Sequence, residues 1–283
     1  MATPYLNGYT IKPTLVNALG VVIFTDGTND VTPNQQQCEA YGYTYDKASG
    51  TCTAFTFSNN LQKNIGNENN SIRGAGNKTE TGTNNTYIMG ESNTVKGMSR
   101  NNIIIGTNNE ISNSVNNSFI YGNKANSIAD NSIVLGGNNS TDILGKRQNT
   151  TIIYGGFTED ASATNAYLNN VTGSYYKPAT ATDNSILYFQ SETIAVRIGG
   201  GSTGSTGDYK AWVERGVIKN ARTTLSIDMS KTAISSSGTT SGWDFESQVS
   251  GTDYKQSLTG VDDTEIEWVS TIRITEIRTS VDL

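Results

Sequence analysis

The sequence contains no histidine among its 283 residues, and charged residues make up only 16% of it. The missing histidine removes the commonest general base, the Ser-His and Cys-His dyads, and most catalytic zinc sites. The net charge is −6 and no basic cluster is present, which is not the pattern of a nucleic-acid-binding protein. We therefore expect no enzyme, no cofactor, no bound metal and no nucleic-acid partner.

Long apolar runs are also missing. No window approaches the 18 consecutive apolar residues that mark a membrane span. The N-terminus lacks the basic and hydrophobic segments of a signal peptide. The short run Ala18–Phe24 is instead typical of a buried strand that ends at an Asp26-Gly27 turn. We expect a protein made in the cytoplasm without membrane insertion.

Proline and cysteine are scarce, with four and two residues, and three of the prolines and both cysteines fall within residues 1–58. Cys38 and Cys52 bracket a predicted hairpin whose turn runs from Asp46 to Gly50. Either a disulfide formed outside the reducing cytoplasm or two partly buried free thiols fit this spacing. Two cysteines without histidine are too few soft ligands for a zinc site. We assign residues 1–58 to a small N-terminal β domain.

Asparagine is abundant, and it repeats. Between Asn59 and Phe157 there are 23 asparagines in 99 residues. Six times an Asn- or Thr-led apolar strand ends on glycine, and successive glycines are 16, 16, 16, 14 and 19 residues apart. A fixed period of this size predicts a solenoid, although such polar composition alone is also typical of disorder. The six glycines are Gly74, Gly90, Gly106, Gly122, Gly136 and Gly155.

A second, weaker strand follows in each period, at Asn93–Val95, Asn109–Ile111, Asn126–Ile128 and Thr141–Ile143. Two short strands per coil favour a parallel β-roll over a three-sided β-helix. The residue two places before each glycine is always aliphatic, so this row is predicted to form the interior. The row comprises Ile72, Ile88, Ile104, Ile120, Val134 and Ile153.

The opposite face of the same strands is apolar from the second coil onward. A strand that is apolar on both faces must be covered on both, and exposed apolar rows invite aggregation. We therefore predict that the rows one and three places before the glycine are buried between copies of this chain. The interface row one place before it is Met89, Ile105, Tyr121, Leu135 and Tyr154; the row three places before it includes Tyr87, Ile103, Phe119, Ile133 and Ile152.

Beyond a connector at 158–182 the composition changes. All three tryptophans lie between residues 183 and 283, and apolar and polar residues alternate in Ile194–Ile198, Leu225–Met229 and Ile266–Ile274. This pattern predicts antiparallel strands in a compact β-sandwich. Gly199–Gly207 lacks the Lys-Ser/Thr of a phosphate loop and is predicted to be a flexible hairpin loop. The fold class is thus all-β: a parallel β-roll of about six coils with period about 16 (residues 59–157), between an N-terminal β domain and a C-terminal β-sandwich.

Paired carboxylates could still cleave polysaccharide without histidine. The repeat contains few acids, and they do not align in one row. Asp262, Asp263, Glu265 and Glu267 are closer together, but Glu265 and Glu267 fall on the outward face of a predicted strand. The acids of the repeat are Glu68, Glu80, Glu91, Glu110, Asp130 and Asp142.

The repeat Asn-Ser-Ile-Val-Leu-Gly, at Asn131–Gly136, resembles the head-domain repeat of trimeric autotransporter adhesins and is similar to the Asn/Gly-rich rolls of bacteriophage trimeric fibres. The resemblance covers about 100 residues and implies three β-rolls packed about one axis, hence a homotrimer. An autotransporter would need an export signal, a coiled-coil stalk and a membrane anchor. The sequence has none of these, which favours the phage fibre.

This resemblance implies a virion protein, a head or tail fibre, exposed on the particle surface. One end would contact other virion proteins, and the other would bind a host surface glycan or protein. Two alternatives stay open: a purely structural decoration or adaptor protein, and a polysaccharide-cleaving tail spike. Aromatic faces suit sugar rings, so the candidate receptor contacts are Tyr175, Tyr176, Tyr209, Trp212 and Trp243, with burial in the sandwich core as the alternative for each.

Overall fold

The computed structural model describes residues 11–17, 20–47, 49–54, 69–178, 184–222 and 224–279. The chain divides into two compact units, residues 1–63 and 64–283. The predicted start of the repeat at 59–68 and the end of the predicted connector at 179–182 lie outside the described residues. Within the described ranges, no helix combines the length and apolar character needed to cross a membrane.

The first unit is a small antiparallel fold closed by a disulfide. Strands β1 (Lys12–Val16), β2 (Val22–Thr25) and β3 (Asp30–Val31) form one sheet in that order. Helix α1 (Gln35–Ala40) starts at a reciprocal cap, since Asn34 Oδ1 accepts from the Gln37 amide and Gln37 Oε1 accepts from the Asn34 amide. Strands β4 (Thr44–Asp46) and β5 (Thr51–Thr53) pair as a hairpin, which confirms the predicted turn.

A disulfide joins Cys38 of α1 to Cys52 of β5, with Cα atoms 5.6 Å apart. Both cysteines are buried against Ile11, Val22 and Phe24. This core is small, so the covalent link supplies cohesion that few apolar side chains can provide.

The second unit begins with a parallel β-solenoid. Five strands form its main sheet: β6 (Ser71–Arg73), β8 (Tyr87–Glu91), β10 (Ile103–Thr107), β12 (Phe119–Asn123) and β14 (Ile133–Gly137). Four short strands form the second sheet: β7 (Lys78–Thr79), β9 (Thr94–Val95), β11 (Glu110–Ile111) and β13 (Asn126–Ser127). Ile88 lies opposite Ile104, which lies opposite Ile120. The period of 16 is therefore the parallel register of stacked coils.

The interior of the solenoid is the predicted aliphatic row. Ile88, Ile104, Ile120 and Val134 are fully buried, and they pack with Val95 and Ile111 from the second sheet. One predicted strand is wrong, because Thr141–Ile143 lies in a turn. Its place is taken by a loop that Asp142 holds together, since the carboxylate accepts from Lys146 Nζ and from the Asn139 amide.

Asparagine serves the solenoid in two ways. At one corner of each coil an asparagine adopts the left-handed backbone that this residue tolerates: Asn69, Asn85, Asn101, Asn117 and Asn131. Buried asparagines also stack in a ladder, in which Asn93 Nδ2 donates to Asn77 Oδ1 and Asn109 Nδ2 to Asn93 Oδ1, each over 3.0 Å. The same carboxamides bond the backbone of the neighbouring coil, which satisfies polar groups inside the stack.

The predicted sixth coil is wrong. Strand β15 (Arg147–Thr158) pairs with β14 in the antiparallel direction, with Ile133 opposite Thr151 and Gly136 opposite Gln148. After the 138–146 loop the chain thus turns back instead of completing another coil. Ile153 is consequently exposed rather than interior, and Ile152 and Tyr154 are buried rather than on the outer face.

The main sheet continues without a break into the C-terminal region. Beyond β15 it adds β22 (Glu265–Thr279), β17 (Asn184–Gly199), β18 (Tyr209–Ala221) and β19 (Thr224–Ser237), all antiparallel. A second layer contains β16 (Thr164–Leu168), β20 (Asp244–Ser250) and β21 (Asp253–Thr259). The solenoid and the C-terminal layers therefore belong to one compact unit.

The C-terminal core lies between these two layers. All three tryptophans are buried in it, and the rings of Trp212 and Trp268 stack with centroids 5.7 Å apart. Glu265 and Glu267 point outward, as predicted. The glycine loop after β17 is organised by Arg197, whose guanidinium donates to the carbonyls of Gly199, Gly200, Ser202 and Thr203. The loop that the sequence predicts to be flexible is therefore held in place by the buried Arg197 guanidinium.

Candidate functional site

The outward face of the solenoid's main sheet is an apolar surface. Two rows of side chains project from it, and each row is held in parallel register by the backbone pairing of β8, β10, β12 and β14. Tyr121, Ile133 and Leu135 have about half of their area in contact with solvent, at 56%, 50% and 48%. The rows are Tyr87, Ile103, Phe119 and Ile133, and Met89, Ile105, Tyr121 and Leu135.

The same face extends over the C-terminal strands. Ile153 and Phe157 of β15, Val269 and Ile277 of β22, and Tyr188 of β17 are exposed on it. We call this whole surface, which extends across the sheet from Tyr87 on β8 to Tyr188 on β17, the outer face. Apolar residues on opposite sides of β17, such as the exposed Tyr188 and the buried Phe189, repeat the two-sided apolar pattern of the solenoid.

Charge is distributed unevenly over the outer face. Between the two solenoid rows no charged residue intervenes, whereas the C-terminal part carries the exposed Glu192 and Arg273. The solenoid part is therefore the stretch whose exposure to water is least favourable. A side chain that is apolar and half exposed in every successive coil has the character of an interface rather than of a solvated surface.

One predicted interface residue is wrong. Tyr154 is fully buried; its hydroxyl donates to the Tyr254 carbonyl over 2.8 Å and accepts from the Tyr176 amide over 2.7 Å. Burial raises the pKa of Tyr154 far above its ordinary value. Gly155 is not equivalent to the repeat glycines, because β15 pairs with β14 in an antiparallel register that puts Ile153, and not Tyr154, on the outward face.

The structure separates the candidate receptor aromatics. Trp243, Trp212 and Tyr176 are buried in the C-terminal core, so the prediction that they contact a receptor is wrong. Tyr175 is half buried, with the Tyr167 ring 5.6 Å away and Lys255 Nζ over its own ring. Tyr209 remains partly exposed at the start of β18.

Several residues of the outer face escaped the sequence analysis. Ile186, Tyr188, Ile194 and Ile277 are exposed on strands that alternate apolar and polar residues only in part. The signal was present in the run Ile186-Leu-Tyr-Phe189, which is apolar on both faces. A sandwich prediction assigns such a run to the core and overlooks the outward half.

No protein-family model matches the chain, and no curated protein matches it. Among solved structures it is similar to the tailspike of Acinetobacter baumannii phage AM24, with 8% identity over 74% of this chain and 52% of that one, and a TM-score of 0.27. It is also similar to tailspike gp49 of Acinetobacter baumannii bacteriophage Fri1, described as a capsular polysaccharide depolymerase, with 9% identity over 73% and 46% of the two chains and a TM-score of 0.26. The tailspike of Acinetobacter phage vB_ApiP_P1 gives 12% identity over 74% and 47%, and a TM-score of 0.20.

The chain spans about half the length of these tailspikes, and at such scores the likeness assigns no activity to it. One expectation is nevertheless corrected. The prediction that the chain is not an enzyme is contradicted, because one of the similar structures is described as a depolymerase.

Proposed function

We propose that the chain is a subunit of a bacteriophage surface fibre or spike, assembled as a homotrimer and directed at the host cell surface. The observation that carries the proposal is the solenoid part of the outer face, whose two apolar rows cross four consecutive strands with no charged residue between them. The trimer number rests on the resemblance of the repeat to trimeric phage fibres and adhesin heads.

A second copy of the same chain is the natural cover for this face. Each copy presents its apolar rows parallel to the solenoid axis, so copies packed side by side bury matching rows along their whole length. Obligate interfaces of this kind are apolar and resemble a domain core. Burial of Met89, Ile105, Tyr121 and Leu135 would then replace the solvent contacts that these residues have in the single chain.

In such an assembly one end contacts other virion proteins and three identical surfaces meet the host. Weak single contacts with a surface glycan or protein are strengthened by avidity. A purely structural decoration or adaptor protein shares the assembly but does not bind cells. A polysaccharide-cleaving tail spike shares the assembly and adds turnover, and the depolymerase description of the Fri1 tailspike makes this the alternative to test first.

Light scattering after size-exclusion chromatography tests the assembly. We expect the purified protein to have three times the 30.3 kDa mass of the chain. Leu135→Asp places a charge on the outer face without touching the solenoid interior, so we expect loss of the trimer with folding retained, as judged by circular dichroism. A wild-type monomer would contradict the proposal.

Met98→Asp is the matched control. Met98 is more exposed than Leu135, at 58% against 48%, but it lies at a solenoid corner, off the outer face, and its left-handed backbone suits aspartate. We expect this variant to remain a trimer. Incubation of the trimer with host capsular polysaccharide, followed by measurement of polymer length, then separates a cleaving spike from a binding fibre.

A further inference from the structure

A groove runs along one corner of the solenoid, away from the outer face. It encloses about 480 Å³ and crosses three successive coils, at residues 98–101, 114–117 and 130–131. The turn after β16 closes one end, because Asn169 Nδ2 donates to the Asp130 carbonyl over 3.0 Å. We call this the corner groove. Its volume is within the range of small-ligand clefts.

A cation lies at the open end of the corner groove. Arg100 is exposed, and its guanidinium has neither a hydrogen bond nor an ion pair to any residue in the described part of the chain. A guanidinium offers a planar fork of donors that matches a carboxylate. Arg197 and Arg147 of the same unit are engaged in hydrogen bonds, whereas Arg100 lies on the border of the groove with its donors unused. Those donors are available to an anionic group that enters the groove.

An acceptor lies at the closed end. Asp130 Oδ1 accepts from the Asn116 amide over 2.7 Å, which fixes the carboxylate, while its Oδ2 has no partner among the described residues. Between the two ends lie carboxamides with unused groups: Asn101 donates to Asn117 Oδ1 over 3.0 Å, which leaves Asn117 Nδ2 free. Fixed carboxylate and carboxamide groups are suited to the hydroxyls of a sugar, because they offer acceptors and donors side by side.

Apolar side chains border the corner groove. Met98 and Val171 are more than half exposed, at 58% and 57%. Met98 has a left-handed backbone, with φ of 61°, where the preceding coil has Gly82. Methionine in this conformation costs free energy that glycine does not. If the C–H face of a sugar ring packed over this exposed, strained methionine, its apolar side chain would be removed from water.

We propose that the corner groove binds an acidic polysaccharide, with a carboxylate of the polymer on Arg100 and hydroxyls of a neighbouring sugar on Asp130 and the carboxamides. The inference rests on the proposed function, since it identifies the host-directed site. Arg100 and Asp130 lie two coils apart, roughly 10 Å along the solenoid axis. The site therefore contacts more than one sugar unit, and only the sugar at the Arg100 end has to carry a negative charge.

Binding of the assembled protein to a panel of immobilised polysaccharides tests this site. The panel contains uronate- and sialate-bearing polymers, with dextran as the uncharged member. We expect binding to at least one acidic polymer, none to dextran, and a weakening at high salt because the Arg100 contact is exposed. Arg100→Gln should weaken that binding at least tenfold.

Lys78→Gln is the control for charge. Lys78 is an exposed cation on β7 outside the corner groove, so its loss should leave binding within twofold of wild type. Equal weakening by the two variants would mean general electrostatic attraction and would overturn the site. The site would also be overturned if Arg100→Gln left binding unchanged, or if the protein bound none of the acidic polymers.

The two proposals fail separately. If the protein is a trimer that binds no acidic polymer, the fibre proposal stands and the groove proposal is overturned. If it is a monomer whose binding depends on Arg100, the trimer is overturned and the groove proposal stands.

Discussion

Glu214 is an acid in the core of the C-terminal layers. It has no exposed surface, its Oε1 accepts only a long 3.4 Å bond from the Ser247 amide, and Oε2 has no partner in the described part of the chain. Burial raises the pKa of Glu214 above the ordinary glutamate value, and the Ser247 hydrogen bonds only partly offset this. The folded state therefore favours the neutral carboxyl.

Stability should consequently fall as the pH rises. Below the ordinary glutamate pKa the carboxyl is protonated in both the folded and the unfolded state, and its stabilising contribution to the free energy of unfolding is fully present. It is lost as the pH passes through the raised pKa of the folded state, where the unfolded chain is already ionised. We expect Glu214→Gln to raise the melting temperature by a few degrees at about pH 8 and to change it little at about pH 4.

Thermal unfolding followed at both pH values checks this. Glu267→Gln, an exposed acid on strand β22, should leave the pH profile unchanged. A Glu214→Gln protein that is less stable than wild type at pH 8 would mean that the ionised carboxylate is held by a partner.

The coils of the solenoid are stacked through a row of glycines. Gly74, Gly90, Gly106 and Gly122 all have positive φ, between 104° and 135°. A Cβ on Gly106 would overlap the carbonyl oxygen of Gly122 in the next coil. The glycine that ends each of these four repeats is thus required by the close approach of two backbones as well as by its dihedral angle.

We expect Gly106→Ala to destabilise the second unit by about 3 kcal/mol or more, from backbone strain and overlap together. This corresponds to a fall in melting temperature of roughly 10 °C for a unit of this size. Calorimetry measures the effect. Gly137→Ala is the control, because a Cβ there meets open space; if both variants melted alike, the stacking argument would not stand.

The sequence predicts most of this element. The glycine spacing and the aliphatic row identify the five parallel strands of the main sheet and their interior side, because both follow the parallel register directly. They could not reveal that β15 runs antiparallel to β14, since alternation with a period of two is the same in either strand direction. Tyr154 is predicted on the wrong face because Gly155 looks like one more repeat glycine, whereas β15 has Ile152 and Tyr154 buried and Ile153 exposed.

Two compact units make up the whole molecule, and they differ in what stabilises them. Among its described residues the first has three buried apolar side chains, Ile11, Val22 and Phe24, packed around the Cys38–Cys52 disulfide. The second has an extensive core and a continuous sheet. Units of such different cohesion are expected to unfold in separate steps.

We expect a reducing agent to lower the melting temperature of the first unit only. Opening a loop of 14 residues removes about 3 kcal/mol of stabilisation, while the second unit has no disulfide among its described residues. Calorimetry with and without reductant should show one transition shifted and the other, as an internal control, unchanged. A single transition that shifts as a whole would contradict independent unfolding.

The arrangement of the C-terminal layers was harder to predict. Pairing of β15 with β22 joins residues more than 100 positions apart, and no local pattern encodes such a contact. The corner groove was missed for a related reason. Arg100, Asn116 and Asp130 are spread over three coils and look like ordinary solvated residues until the 16-residue period brings them together.

The uniform register of the solenoid also bears on how such a protein can change over generations. Each coil makes the same contacts with the coil before and after it, so an in-frame duplication of sixteen codons would insert a coil without altering either end. Every insertion would lengthen the shaft by about 4.8 Å. The length of the solenoid could thus be adjusted in small steps by slippage in a repetitive gene, while the regions on either side of it stay unchanged.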